Sequence, residues 1–175
     1  MSQFQLQPEA YLDFEVYEGK VNYLGVAKAT QPNIAFLSQT ITGAGIGGNV
    51  DAVMTGMMEA MTLELSFRSA NGAALQLLRP EKHSLELRIA EQQWDPVNVK
   101  RVITADKFVY VCVPKSLNLG AVAPASMADV TASFAVYYFA GFEGQRIMWE
   151  IDPYNYKCVI DNKDYMADIR RALGK

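Results

Sequence analysis

The run MTLELSFR at residues 61–68 constrains this chain more than any other stretch. Met61, Leu63, Leu65 and Phe67 are apolar, and Thr62, Glu64, Ser66 and Arg68 are polar. A period of two puts the two sets on opposite sides of an extended ribbon, whereas a helix would mix them around its circumference. Residues 83–93 repeat the pattern, with Leu85, Leu87 and Ile89 against Ser84, Glu86 and Arg88. Strands with one buried and one wet face belong to antiparallel sheet.

The rest of the chain reads as further strands. Residues 12–17 and 21–27 are short extended runs joined at Gly19, which suits a tight hairpin. Residues 28–33, with Pro32, read as a loop, and 34–42 as a strand rich in β-branched and aromatic residues. Residues 49–60 predict a long ordered loop with at most one helical turn, because Gly56 weakens a helix by about 1 kcal/mol relative to alanine. Residues 69–78 predict a short helix, capped by Ser69 or Asn71 and closed by Pro80. Residues 97–104 and 107–113 predict a hairpin around Ala105 and Asp106, and 117–127 a loop of glycine, alanine and proline. A long strand over 130–142 turns at Glu143 and Gly144 into 146–151, and 156–160 adds one more. Residues 162–173 predict a closing helix, with Asp164 in its first turn, Arg170 and Arg171 in its last, and Gly174 as its stop.

No linker or internal repeat divides the 175 residues, so one domain spanning 1–175 is expected. The net charge of -3 offers no grip on a nucleic-acid backbone, which needs a basic surface. The N-terminus does not read as a signal peptide, and no apolar stretch approaches a membrane span, so a soluble protein made in the cytoplasm is expected. Cys112 and Cys158 sit in apolar runs and read as buried reduced thiols.

Chemistry finds little purchase. His83 is the single histidine and the two cysteines lie far apart, so neither a metal site nor a cofactor is expected. There is no G-x-S-x-G elbow and no evident carboxylate to orient His83, which reads as a surface or strand-start residue. Glu64 and Glu86 could form a carboxylate pair if their strands were neighbours, but Arg68 and Arg88 share those faces and a solvated role is favoured. Residues 43–48 match G-x-G-x-x-G and leave a nucleotide-binding enzyme as an alternative. That fingerprint needs a buried strand before it and a firm helix after it. Read structurally, the glycines let one backbone approach another. Met54, Met57, Met58 and Met61 suit either a core or a surface that adapts to a partner.

Several stretches in collinear order carry a family resemblance: V-x-Y-x-G-V-A-K at 21–28, T-G-A-G at 42–45, M-T-L-E-L-S from Met61, W-E-I-D at 149–152 and R-R-A-L-G at 170–174. Together they resemble the major tail tube protein of contractile-tailed bacteriophages, a family that includes the tubes of related phage-tail-like bacteriocins. One departure is the apolar stretch 120–127, where the family tends to a charged loop. The resemblance implies a non-enzymatic, mainly β subunit. Its fold would be an antiparallel β-sandwich or barrel-like domain with one short internal helix and a short C-terminal helix. It implies hexameric rings stacked into a β-barrel-lined tube, assembled in the bacterial host cytoplasm and resident in a virion or tail-like particle. Implied partners are further copies, the tail sheath protein, the baseplate or tail initiator and a tape measure protein inside the lumen. Genomic DNA would pass without specific binding in a phage, ions in a bacteriocin, and the isolated subunit would bind no membrane. A type VI secretion-like tube is the near alternative. In a ring every lumen side chain is repeated, so a polar, neutral to acidic bore is expected, with Thr42, Thr62, Glu64, Ser66, Ser84 and Glu86 as lumen-facing candidates and Arg68 and Arg88 partly neutralised. Gly43, Gly45, Gly48, Met54, Met57 and Met58 are the candidates for contact between subunits or rings.

Overall fold

The alternating segments become the interior strands of one antiparallel sheet. The computed structural model describes residues 6–43, 45–70 and 72–175. In chain order the elements are β1 (Gln7–Glu18), β2 (Asn22–Tyr23), β3 (Val26–Thr30), β4 (Phe36–Ile41), β5 (Val50–Met58), β6 (Met61–Phe67), α1 (Gly72–Gln76), β7 (His83–Asp95), β8 (Lys100–Asn118), β9 (Val130–Glu143), β10 (Arg146–Asp152), β11 (Lys157–Ile160), β12 (Lys163–Asp164) and α2 (Ala167–Ala172).

Ten strands share the main sheet, in the order β12-β11-β10-β9-β8-β7-β1-β2, with β6 pairing β9 and β3 pairing β6. The sheet forks along β9. Its first half, from Val130 to Val136, takes β6, and its second half, from Phe139, takes β10. The edges β2 and β3 are separated in sequence only by Leu24 and Gly25, so the sheet curls until its two sides meet. The result is barrel-like. Inside lie Leu63, Leu65, Phe67, Leu85, Leu87, Tyr110 and Phe134, each at most 2% exposed, and α1 brings the buried Ala74 to the same core. Burial of each large side chain is worth about 1.5–3 kcal/mol. Phe108, Phe139 and Trp149 form an aromatic cluster beside it, with Trp149 5.3 Å from each of the other two rings.

Four sequence expectations change. Residues 49–60 are not a loop: β5 pairs β4 from Ser38↔Val53 to Ile41↔Val50 in a separate two-stranded sheet. Gly56 does disrupt it, but as a strand bulge, at φ +72 with the Met166 side chain seated where a Cβ would stand. Residues 28–30, the start of the supposed loop, instead continue the extended run as β3, since Lys28, Ala29 and Thr30 complete the ladder of β6. Residues 97–113 are no hairpin; β8 runs straight through Ala105 and Asp106 while β7 pairs it from His83↔Cys112 to Asp95↔Lys100. The turn lies at 96–99, where the Asp95 carboxylate accepts the backbone N–H of Val97 and Asn98. The last helix is shorter than expected. Asp164 belongs to β12, where its carboxylate accepts the Met166 N–H at 2.9 Å and an Arg170 guanidinium N–H at 2.5 Å, and Asp168 takes the first-turn position. Of the two cap candidates for α1, Asn71 lies outside the described residues, as does Ala44 in the glycine cluster. Cys112 and Cys158 are buried and free, as expected.

Candidate assembly surfaces

A strand that buries one side chain must present the next to the other face. Cross-strand register shows which candidates share that face. On β6, Thr62, Glu64 and Ser66 stand opposite Ala135, Ser133 and Thr131 of β9. On β7, Ser84 and Glu86 stand opposite Val111 and Val109 of β8, which in turn face Tyr138 and Ala140. Five of the six lumen candidates thus lie on the single face turned away from the core. Thr42 does not, because it follows β4 in the separate hairpin. Glu64 is exposed, but Glu86 is only 7% exposed, since Arg88 donates to it at 2.6 Å while stacking over the Tyr17 ring.

The β4–β5 hairpin is the second surface. Every residue of β4 is exposed, including Phe36, Leu37 and Ile41, and β5 adds Val50, Val53 and Met57. At its root Met58 packs on the core and Met54 is half-buried. Beyond the end of β4, a Cβ added at Gly43, Gly45 or Gly48 would meet no atom of the described residues within 4 Å, so none of the described backbone makes the close approach expected of them. Gly45 has a positive φ of +91, where glycine is needed for the turn itself. The apolar loop after β8 is a further exposed stretch, with Leu119, Val122 and Met127 in solvent.

Residues 8–174 match the phage tail tube protein FII family. The chain belongs to that family. No curated relative matches it. Among solved structures, the tube-family chain is similar to a chain of an extracellular contractile injection system, the PVC sheath-tube complex in its extended state. Identity is 11%, TM-score 0.52, and 74% of this chain and 88% of that one are covered. It is also similar to a chain of the PVC sheath/tube terminator in the extended state, at 11% identity and TM-score 0.53, covering 77% and 96%.

A tube family is structural rather than catalytic, and the geometry agrees at each enzymatic alternative. The glycine cluster opens onto β5 instead of a helix, so it has no helix N-terminus for a pyrophosphate. Glu64 and Glu86 sit on β6 and β7, which are not adjacent. His83 is a strand start, as expected, but it is buried at 3% exposure rather than on the surface. It also has the carboxylate that the sequence hid: Nδ1 lies 2.5 Å from Glu18 Oε1, and Nε2 donates to the Arg79 carbonyl at 3.0 Å. A catalytic imidazole would turn that second nitrogen toward a nucleophile. Here it clamps the exit of α1 to β1 and β7.

One buried group in the tube-family chain gave no signal in the sequence. Asp106 is 7% exposed, and its Oδ1 has no hydrogen-bond partner among the described residues. Burial raises its carboxyl above the usual value of 3.8, and the nearby Glu91 and Glu143 raise it further. A folded-state value raised above the unfolded one means that ionisation opposes folding. The penalty is absent below pH 3.8 and grows as pH rises through the raised value. Asp106→Asn is therefore expected to raise Tm by a few degrees at pH 7 and to leave it nearly unchanged at pH 3. Thermal melts at the two pH values check this, and equal gains at both would contradict it.

Proposed function

We propose that this chain is the inner-tube subunit of a contractile tail or tail-like particle, one domain whose hexameric rings stack into a hollow conduit. The observation that carries the reading is the β4–β5 hairpin. The described residues leave its Phe36, Leu37, Ile41, Val50, Val53 and Met57 exposed, and an apolar surface of this kind marks an association site. Further copies of the same chain are its proposed cover, with Gly43, Gly45, Gly48, Met54, Met57 and Met58 at or beside the contact. The polar face bearing Thr62, Glu64, Ser66, Ser84 and Glu86 then lines the bore. An acidic to neutral lining lets a polyanion slide, whereas repeated unpaired cations would hold it.

The similarity to chains of sheath-tube assemblies supports a sheath protein around the tube; a baseplate or tail initiator beneath it belongs to the same proposal. A tape measure protein would occupy the bore during assembly, followed by DNA in a phage particle. Negative-stain microscopy of the purified protein, with and without its initiator, tests the reading, and stacked rings of uniform bore are the expected result. Gly48→Val is expected to keep a folded subunit, because Gly48 has no positive φ and a side chain there would meet no atom of the described residues within 4 Å, yet to abolish stacked tubes. Normal tubes from that variant would remove the hairpin apex from the contact.

A further inference from the structure

We infer that His83 and Glu18 form a proton-operated latch that seats α1 and its exit on the barrel, closed in mild acid and released as pH rises. The two partners of the ring set its protonation. The Arg79 carbonyl, 3.0 Å from Nε2, can only accept, so Nε2 bears a proton. Glu18 Oε1, 2.5 Å from Nδ1, belongs to a carboxylate that when ionised also only accepts. Both contacts are hydrogen bonds only if the pair holds one proton more than a neutral ring facing a carboxylate. That proton belongs on the ring, which ordinarily binds it more tightly than a carboxylate does. With His83 only 3% exposed, solvent takes over neither role. The closed latch is therefore an imidazolium bridging the end of β1 to the exit of α1.

The other ionisable groups on the elements around it are engaged elsewhere, in solvent or uncharged. On β8, His83 stands opposite Cys112, whose thiol burial pushes up to about 12 and so keeps neutral. Arg79, Glu81 and Lys82 in the loop after α1 are exposed, as is Lys20 in the turn after β1. The Glu86 carboxylate, on the opposite face of β7, is taken by Arg88 at 2.6 Å. α1 carries no charged residue, and β2 brings only Tyr23. The latch matters because α1 is five residues long, and a helix that short does not persist unaided. Ala74 and Leu77, each at most 1% exposed, anchor its buried side, and the ring holds the loop that follows. With the latch open, histidine titrates at its ordinary value of about 6.5 and glutamate at about 4.3. Between those values the open and closed forms bind the same protons, and the latch is at its tightest. Above about 6.5 the open ring gives up a proton that the closed pair keeps, so each further pH unit favours opening by up to about tenfold. Below about 4.3 opening takes up a proton at Glu18 instead, and acid loosens the latch in turn.

Because His83 is the single histidine, the ring resonances of nitrogen-15-labelled full-length protein report this site alone, in solution for free subunits or in the solid state for tubes. At about pH 7 both ring nitrogens are expected to carry protons, where a neutral ring would show one protonated and one bare. The amides of Leu77, Leu78, Arg79 and Glu81 all donate within the segment the latch holds, to the carbonyls of Ala73, Leu75, Gln76 and Arg79, and their hydrogen exchange reads its opening. Corrected for the intrinsic rate of an open chain and referred to the interior of β7, their protection should fall at least tenfold between about pH 6 and about pH 8.5. Glu18→Gln places an amide NH2 that donates to Nδ1, so that variant should hold a neutral ring at pH 7 and lose the pH dependence of exchange. A bare ring nitrogen in the wild-type protein at pH 7, protection that does not change with pH, or the same fall in Glu18→Gln overturns the latch. Should that variant fail to fold, the two wild-type readings decide by themselves.

Discussion

Phe134→Ala is expected to destabilise the subunit by about 3–5 kcal/mol, the range for removing a fully buried phenylalanine. At this chain length that lowers Tm by roughly 6–20 °C. Phe134 is 0% exposed and sits in the half of β9 where β6 and β8 flank it, opposite Leu63 and Pro114. The cavity left behind is walled by strands hydrogen-bonded on both sides, which cannot slide inward to fill it. Its neighbour Ser133 points to the other face, between Glu64 and Ser116, and Ser133→Ala should change stability by less than about 0.5 kcal/mol. A pair of thermal melts decides the matter. Similar losses at both positions would mean that β9 does not bury alternate residues in this register.

That contrast between adjacent residues is what the sequence made legible. Alternation in 61–68 and 83–93 identified the buried rows, and the structure places Met61, Leu63, Leu65 and Phe67 inside and Glu64 outside. It also brought five of six lumen candidates to one face, because register follows from period once the strands are antiparallel. Local composition failed where tertiary pairing decides. The segment NVDAVMTGMM lacks alternation and contains Gly56, and only the pairing with 38–41 and the seat of Met166 make it a strand. The hairpin expected at Ala105 and Asp106 had no strong turn-forming pair, whereas Asp95, Pro96 and Asn98 supplied true turn chemistry a few residues earlier. The Glu18 partner of His83 was invisible for a different reason. The two are 65 residues apart, and no spacing rule connects a strand end to a strand start across a fold.

Gly141→Val is expected to destabilise the subunit by the opposite route to the Phe134 truncation. A Cβ at Gly141 would lie 2.4–2.7 Å from three atoms of the Trp149 ring, well inside contact distance, so the indole must move. Moving it breaks its packing against Phe108 and Phe139, each 5.3 Å away, and turns a partly buried ring further into water. Overpacking of this kind costs about 1–3 kcal/mol and more where the neighbours are fixed. The row Phe108, Gly141, Trp149 and Ile160 runs across β8, β9, β10 and β11, and the missing side chain is what lets the indole lie across its own sheet. Ile160 in turn lines a recess with Phe36, Thr55, Gly56 and Tyr165 at the root of the β4–β5 hairpin. A displaced Trp149 therefore disturbs the base on which the proposed assembly hairpin stands. Gly141→Val should lower Tm, shift the indole emission to the red and reduce tube yield together. Adding Trp149→Leu makes room for the new side chain, so the double variant should recover part of the lost stability instead of summing two losses. Additive losses in that cycle would show that the indole is not what the glycine accommodates.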